Sequence, residues 1–164
     1  MALTGYAAAW FLPFVLPICL YVIYTDVSRM KITNNANLAL AGVFVVIGFF
    51  ALPFDVYTWR LLSLVIVLIV GIILNAVGVM GAGDSKFIAA AAPYIALGDL
   101  RLLMWLFTAT LLASFVTHRT AKHTPLRKLA PSWTSWDQGK KFPMGLALGS
   151  TLAIYLVLGL LYGA

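Results

Sequence analysis

Two aspartates stand fifty-eight positions apart, Asp26 in Tyr24-Thr25-Asp26-Val27-Ser28-Arg29 and Asp84 in Gly81-Ala82-Gly83-Asp84-Ser85-Lys86-Phe87. The chain has 164 residues and only five acids, all of them Asp. An acid at the edge of an apolar segment in so acid-poor a chain needs a reason, because carboxylates are expensive at membrane depth and tend to be functional there. Two carboxyl groups sharing one site do not both ionise cheaply. One then keeps a proton while the other acts as a base toward water, a pair able to attack a peptide carbonyl without a metal or a covalent intermediate. Gly81 and Gly83 suit such a site, since a missing side chain lets a substrate strand approach the backbone beside the acid.

The elements that must position these acids follow from composition. With 63% hydrophobic and 10% charged residues and a mean hydropathy of +1.00, the chain reads as an all-α integral membrane protein. Six apolar stretches run approximately over residues 7–24, 36–52, 61–79, 87–97, 102–117 and 143–162. They predict one bundle of about six transmembrane helices, forming a single membrane-embedded domain over residues 1–164. No repeat, low-complexity tract or linker divides it. No basic residue precedes the first apolar run, which contains Pro13 and Pro17, so it reads as a retained helix rather than a cleavable signal segment.

Charge sets the expected orientation. Arg29, Lys31, Lys86, Arg119, Lys122, Arg127, Lys128, Lys140 and Lys141 fall in the first, third and fifth breaks, and only Arg60 and Arg101 in the other two. By the positive-inside rule the odd breaks, with Asp26 and Asp84, face the cytoplasm and both termini lie on the opposite side. The net charge of +6 is thereby assigned to topology and contact with anionic lipid, not to nucleic acid. From Asp84 to Gly98-Asp99 is fourteen steps, roughly 21 Å of helix, short of the hydrocarbon slab. Together with the two glycines this predicts a non-helical polar loop recessed into the membrane at Asp84, allowed only where it is buried in protein or lines a wet cavity.

The Gly81-to-Phe87 run resembles the GxGD signature of the type IV prepilin peptidases. Two further stretches match. Ile32-Thr33-Asn34 follows Asp26 where that family commonly has Ile-Pro-Asn, and Pro143-Met144-Gly145 resembles its Pro-aromatic-Gly; Thr33 and Met144 are the departures. The resemblance implies a membrane aspartic endopeptidase that removes the basic leader of a prepilin at the cytoplasmic face of a bacterial inner membrane. It makes Asp26 and Asp84 the catalytic pair and gives Gly81, Gly83, Lys86, Asn34, Pro143 and Gly145 to substrate contact or loop geometry. Longer members carry a cytoplasmic insertion, often with paired cysteines, and also N-methylate the new pilin terminus. Here the first break is about a dozen residues and Cys19 is the sole cysteine. The expectation is therefore a compact enzyme like those of tight-adherence (Flp) pili, without methyltransferase activity, cofactor or metal.

Other polar residues receive plainer expectations. Asp99 reads as a helix cap, and Asp55 and Asp137 as solvated or surface-paired. Lys86 could reinforce topology, pair with Asp84 or touch the substrate backbone. Asn75 reads as an interhelical hydrogen-bonding residue, and Gly145 and Gly149 as a close-packing GxxxG face. A homo-oligomer built on that face has no other support in the sequence. Trp133 and Trp136, beside Lys140 and Lys141, predict a segment along the headgroup surface with its rings as anchors. His118 and His123 lack nearby thiolates or carboxylates, so no metal site is expected. A different class, a small proton-coupled transporter, would use the same two acids as a relay, but it predicts acids spread through the membrane depth.

Overall fold

The structure is a computed structural model, described here for residues 1–139 and 141–163. Six α-helices follow one another, α1 Gly5–Arg29, α2 Asn34–Ala51, α3 Phe54–Ala76, α4 Ala82–Ala91, α5 Leu100–His123 and α6 Met144–Tyr162, and there is no strand among the described residues. Local chemistry starts two of them. The Thr4 hydroxyl accepts the Ala7 N–H at 3.2 Å and the Thr33 hydroxyl accepts that of Ala36 at 3.3 Å, each satisfying one orphan donor of a first turn. Thr33 therefore does useful work where the resembling sequences have proline. α1 stops at Met30, which takes a left-handed φ of 53° and returns its N–H to the Asp26 carbonyl at 2.8 Å. That turn leaves Asp26 in the last turn of α1.

Five helical segments are long and apolar enough to cross a membrane, and α4 is not among them. Its ten residues rise about 15 Å. Pro93 interrupts it, because the ring lacks an N–H and clashes with the preceding turn, and the chain continues through 3-10 turns at Ala92–Tyr94 and Leu97–Asp99. The backbone groups freed by this break are taken up inside the bundle. Arg60 of α3 donates to the carbonyls of Pro93 and Tyr94, the latter at 3.2 Å, and the Tyr155 hydroxyl of α6 accepts the Ala96 N–H at 3.1 Å. Irregular backbone in a membrane chain is tolerated on those terms. The irregularity thus lies at the far end of the fourth segment, and the recessed non-helical loop expected at Asp84 is absent: Gly81 is the N-cap, and both Gly83 and Asp84 are helical.

The core centres on α6, which packs most extensively against α1. Small residues permit this approach. A Cβ on Gly149 would lie 3.1 Å from the Cys19 carbonyl and one on Gly159 2.7 Å from Leu3, so the expected close-packing face is present within the bundle. Between α1, α2 and the α4 segment, Phe11, Phe44 and Tyr94 form a ring cluster with centroids 4.9–5.6 Å apart. α3 and α5 are peripheral, and Ile66, Ile73, Trp105 and Leu112 point outward, as lipid-facing helices require.

The helix ends sort by charge. Eight of the nine basic residues of the odd breaks gather at the end where α1 stops and α2, α4 and α6 begin; Lys140 lies outside the described residues. α5 extends to His123 at that end, beyond the expected limit near residue 117. The segment after it folds back onto α1. Trp136 is buried, stacked on His118 with ring centroids 5.1 Å apart, and its indole N–H donates to the Ala130 carbonyl at 2.8 Å. Trp133 stacks on Trp136 and meets the edge of Tyr24. Trp136 is therefore packed into the protein rather than serving as an interfacial anchor, because docking on α1 hides more ring surface than the headgroups offer.

Candidate active site

Asp26 and Asp84 arrive at the same end of the bundle from opposite helix termini, the last turn of α1 and the first turn of α4. Asp26 is 6% exposed and Asp84 is half-buried. Gly83, the residue before Asp84, packs against Ile32 in the loop that follows Asp26, which brings the two acids to one end of the bundle. The sole ion pair among the described residues is Arg127 with Asp137, so neither acid is neutralised by Arg29, Lys31 or Lys86. Nor does Asp84 cap α4, that position being Gly81.

Each acid is seated by a glycine. The Gly145 N–H, in the first turn of α6, donates to Asp26 Oδ2 at 2.5 Å, and a Cβ at Gly145 would lie 2.8 Å from the Cβ of Asp26. Real side chains are not found so close, so only glycine fits. A Cβ at Gly81 would lie 2.7 Å from Asp84 Oδ2, which shows the carboxylate folded back over the start of its own helix, where the positive end of the helix dipole favours an anion. Pro143 holds the extended residue before α6 and so presents Gly145 to Asp26.

The loop between α1 and α2 closes the arrangement. A Cβ on Gly83 would sit 3.3 Å from that of Ile32, and Lys86 Nζ donates to Asn34 Oδ1 at 3.0 Å. Lys86 therefore ties α4 to the start of α2, a role its position in the sequence did not single out, and the offsetting contact for a cation near a helix N-terminus is a neutral amide. Gly71 of α3 packs behind the site against Ser85, whose hydroxyl donates to the Gly81 carbonyl at 3.0 Å. Sequence reasoning missed Ser85, and also Ser28 and Asn37. These last two are buried near the end of α1 and the start of α2, with the Ser28 hydroxyl and both Asn37 amide atoms lacking a partner among the described residues. A polar residue two places after Asp26 and one a helical turn after Asn34 were the available signals.

Several other expectations change. Asn75 donates to the Met80 carbonyl five residues on, at 2.8 Å, which makes it a turn-former and not an interhelical link, because it sits exposed in the last turn of α3. Asp99 occupies the N-cap position of α5 but its side chain makes no cap hydrogen bond there; the carboxylate instead accepts the N–H groups of Ala2 and Leu3 and the Tyr155 hydroxyl at 2.8–3.0 Å, at the bundle end remote from Asp26. Asp137 is surface-paired, with Arg127 at 2.7 Å, and Asp55 is exposed. Among the described residues no group of three or more His, Cys, Asp or Glu side chains comes together.

The model of the type IV leader peptidase family matches residues 13–118. The chain belongs to that family. No curated protein and no solved structure matched it. The match takes in Asp26, the Ile32–Asn34 loop, Asp84 and Lys86, and it stops before Gly145. This leader peptidase family member is therefore a peptidase, built as a multi-pass bundle of apolar helices. Two carboxyl groups gathered at one bundle end, neither of them ion-paired among the described residues, have the chemistry to share a proton and polarise a water.

Proposed function

We propose that this peptidase is an aspartic endopeptidase that removes the basic leader of prepilin-type membrane proteins, with Asp26 and Asp84 as its catalytic pair. The observation that carries the reading is the meeting of three stretches distant in sequence, Asp26, Gly81–Lys86 and Gly145, around two acids with no cationic partner among the described residues. The ionised carboxyl takes a proton from water as its oxygen attacks the scissile carbonyl carbon. The protonated carboxyl gives its proton to the carbonyl oxygen, and collapse of the tetrahedral species breaks the C–N bond with a proton passing to the leaving amine. The substrate enters as an extended strand over Gly81 and Gly83, because a regular helix conceals its carbonyls. Its apolar helix stays in the bilayer.

Two features support the finer points. The α1-to-α2 connection is only residues 30–33, too short for an inserted methyltransferase module, in keeping with the compact Flp-type enzymes. The site shares its bundle end with most of the basic residues, and this favours a cytoplasmic site on a bacterial inner membrane, with both termini on the other side. Acids grouped at one end favour an enzyme over a relay crossing the membrane. Neither a cofactor, a metal nor a second copy is required.

The test is cleavage of a prepilin-type precursor in proteoliposomes, read by mass. Asp26→Asn and Asp84→Asn each abolish processing while the protein remains folded, and the wild-type product carries an unmethylated N-terminus. Substantial processing by Asp84→Asn sinks the mechanism.

A further inference from the structure

A groove of about 800 Å³ runs down the flank of the bundle, and neither of the two acids lines it. α3 and α5 form its walls through Val67, Leu103 and Phe107, and the short α4 segment forms its floor through Ile88 and Ala92. It exists because α4 is short and ends in 3-10 turns, leaving α3 and α5 without a full-length helix between them. From Asp55 to Val67 along α3 is twelve steps, about 18 Å. Its surface is almost wholly apolar, with the charge concentrated at one end. There Asp55 and Arg60 both line it, in the first two turns of α3, Arg60 about 9 Å from the start of the helix.

These two opposite charges are not paired with each other, since the sole ion pair among the described residues is elsewhere. Arg60 spends one nitrogen on the Pro93 and Tyr94 carbonyls, which fixes the guanidinium and leaves the rest of its donors for another acceptor. The Asp55 side chain accepts no hydrogen bond among the described residues. An occupant that complements this end carries both an anion and a cationic donor on an otherwise apolar body.

We propose that the groove is a binding site for a zwitterionic glycerophospholipid with a primary-ammonium headgroup, its phosphate on Arg60, its ammonium on Asp55 and its acyl chains along the α4 floor. A charge-assisted contact at each headgroup group supplies the selectivity.

The full-length protein, incubated in mixed micelles with equal amounts of dioleoyl phosphatidylethanolamine, phosphatidylglycerol and phosphatidylcholine, is read by native mass spectrometry. The expected result is one dominant phosphatidylethanolamine adduct. Arg60→Gln lowers it about tenfold, the loss of one hydrogen bond to a charged group, and Asp55→Asn removes the preference over phosphatidylcholine. Ala92→Phe fills the floor and expels every lipid while keeping both Asp55 and Arg60, which separates lipid loss from any effect of Arg60 on its two carbonyls. Equal adducts of the three lipids, a wild-type adduct in Ala92→Phe or in folded Arg60→Gln, an unchanged preference in Asp55→Asn, or a co-purifying apolar peptide in place of lipid each overturns the proposal.

Discussion

The backbone N–H of Gly145 donates to the carboxylate of Asp26 across 119 positions of sequence. α6 thereby receives a cap for its first turn from the last turn of α1, and Asp26 is held in one orientation at the buried end of the bundle.

A methyl group at Gly145 would enter the space held by Asp26, 2.8 Å from its Cβ and 2.9 Å from Oδ2. Gly145→Ala is expected to lower stability by about 1–3 kcal/mol through overpacking and to cut cleavage by roughly a hundredfold as the acid is displaced. Gly42→Ala is the control, since nothing lies within 4 Å of its Cβ position; it leaves cleavage unchanged. Denaturation in detergent beside the precursor assay separates the two effects, and equal behaviour of the two variants would count against a positioning role.

Asp26→Asn keeps an oxygen for the Gly145 N–H, whereas Asp26→Ala leaves that donor without its partner. Both variants are expected to be inactive, but only Asp26→Ala loses stability, by about 1–3 kcal/mol for an unsatisfied buried group. Comparable unfolding midpoints for the two would show that the hydrogen bond contributes nothing to the fold.

Lys86 and Asn34 join α4 to α2 through an exposed contact at 3.0 Å. Replacing either by Ala is expected to cost under about 1 kcal/mol in stability and to reduce cleavage to similar extents. The double variant should lose no more than one single variant does, because the two residues form one contact. A double-mutant cycle with additive losses would instead mean that Lys86 acts on the substrate.

At the opposite end the Asp99 carboxylate accepts three hydrogen bonds, from Ala2, Leu3 and Tyr155. Asp99→Ala removes all three acceptor contacts and is expected to destabilise the bundle by roughly 2–3 kcal/mol, with Tyr155→Phe costing about 1 kcal/mol. Steady-state cleavage by the folded fraction should be unaltered, so a specific loss of activity without a loss of stability would contradict this assignment.

Trp136 is buried against His118. Trp136→Ala is expected to cost about 3–5 kcal/mol of local packing, releasing the segment between α5 and α6. Limited proteolysis at Arg127 and Lys128 should then run much faster than in the wild type, and an unchanged digestion rate would mean that other contacts hold the segment.

The sequence by itself determined the class, the order of the apolar helices and the family, because hydropathy and short motifs are local properties that survive in one dimension. Asp26 and Asp84 were legible as candidates because acids are rare here, and Gly145 because Pro143-Met144-Gly145 resembles a short family motif. Where α4 begins and breaks was misjudged, since Gly83 is helical once Gly81 caps it and Ile32 covers it, and Pro93 supplies the irregular stretch instead. Only the tertiary structure decided that Gly145 holds Asp26, that Lys86 reaches Asn34, that Asp99 gathers the N-terminal backbone and that Trp136 is buried. Those are pairings between residues far apart in the chain, fixed by which helix faces meet, and no local pattern of residue types encodes them.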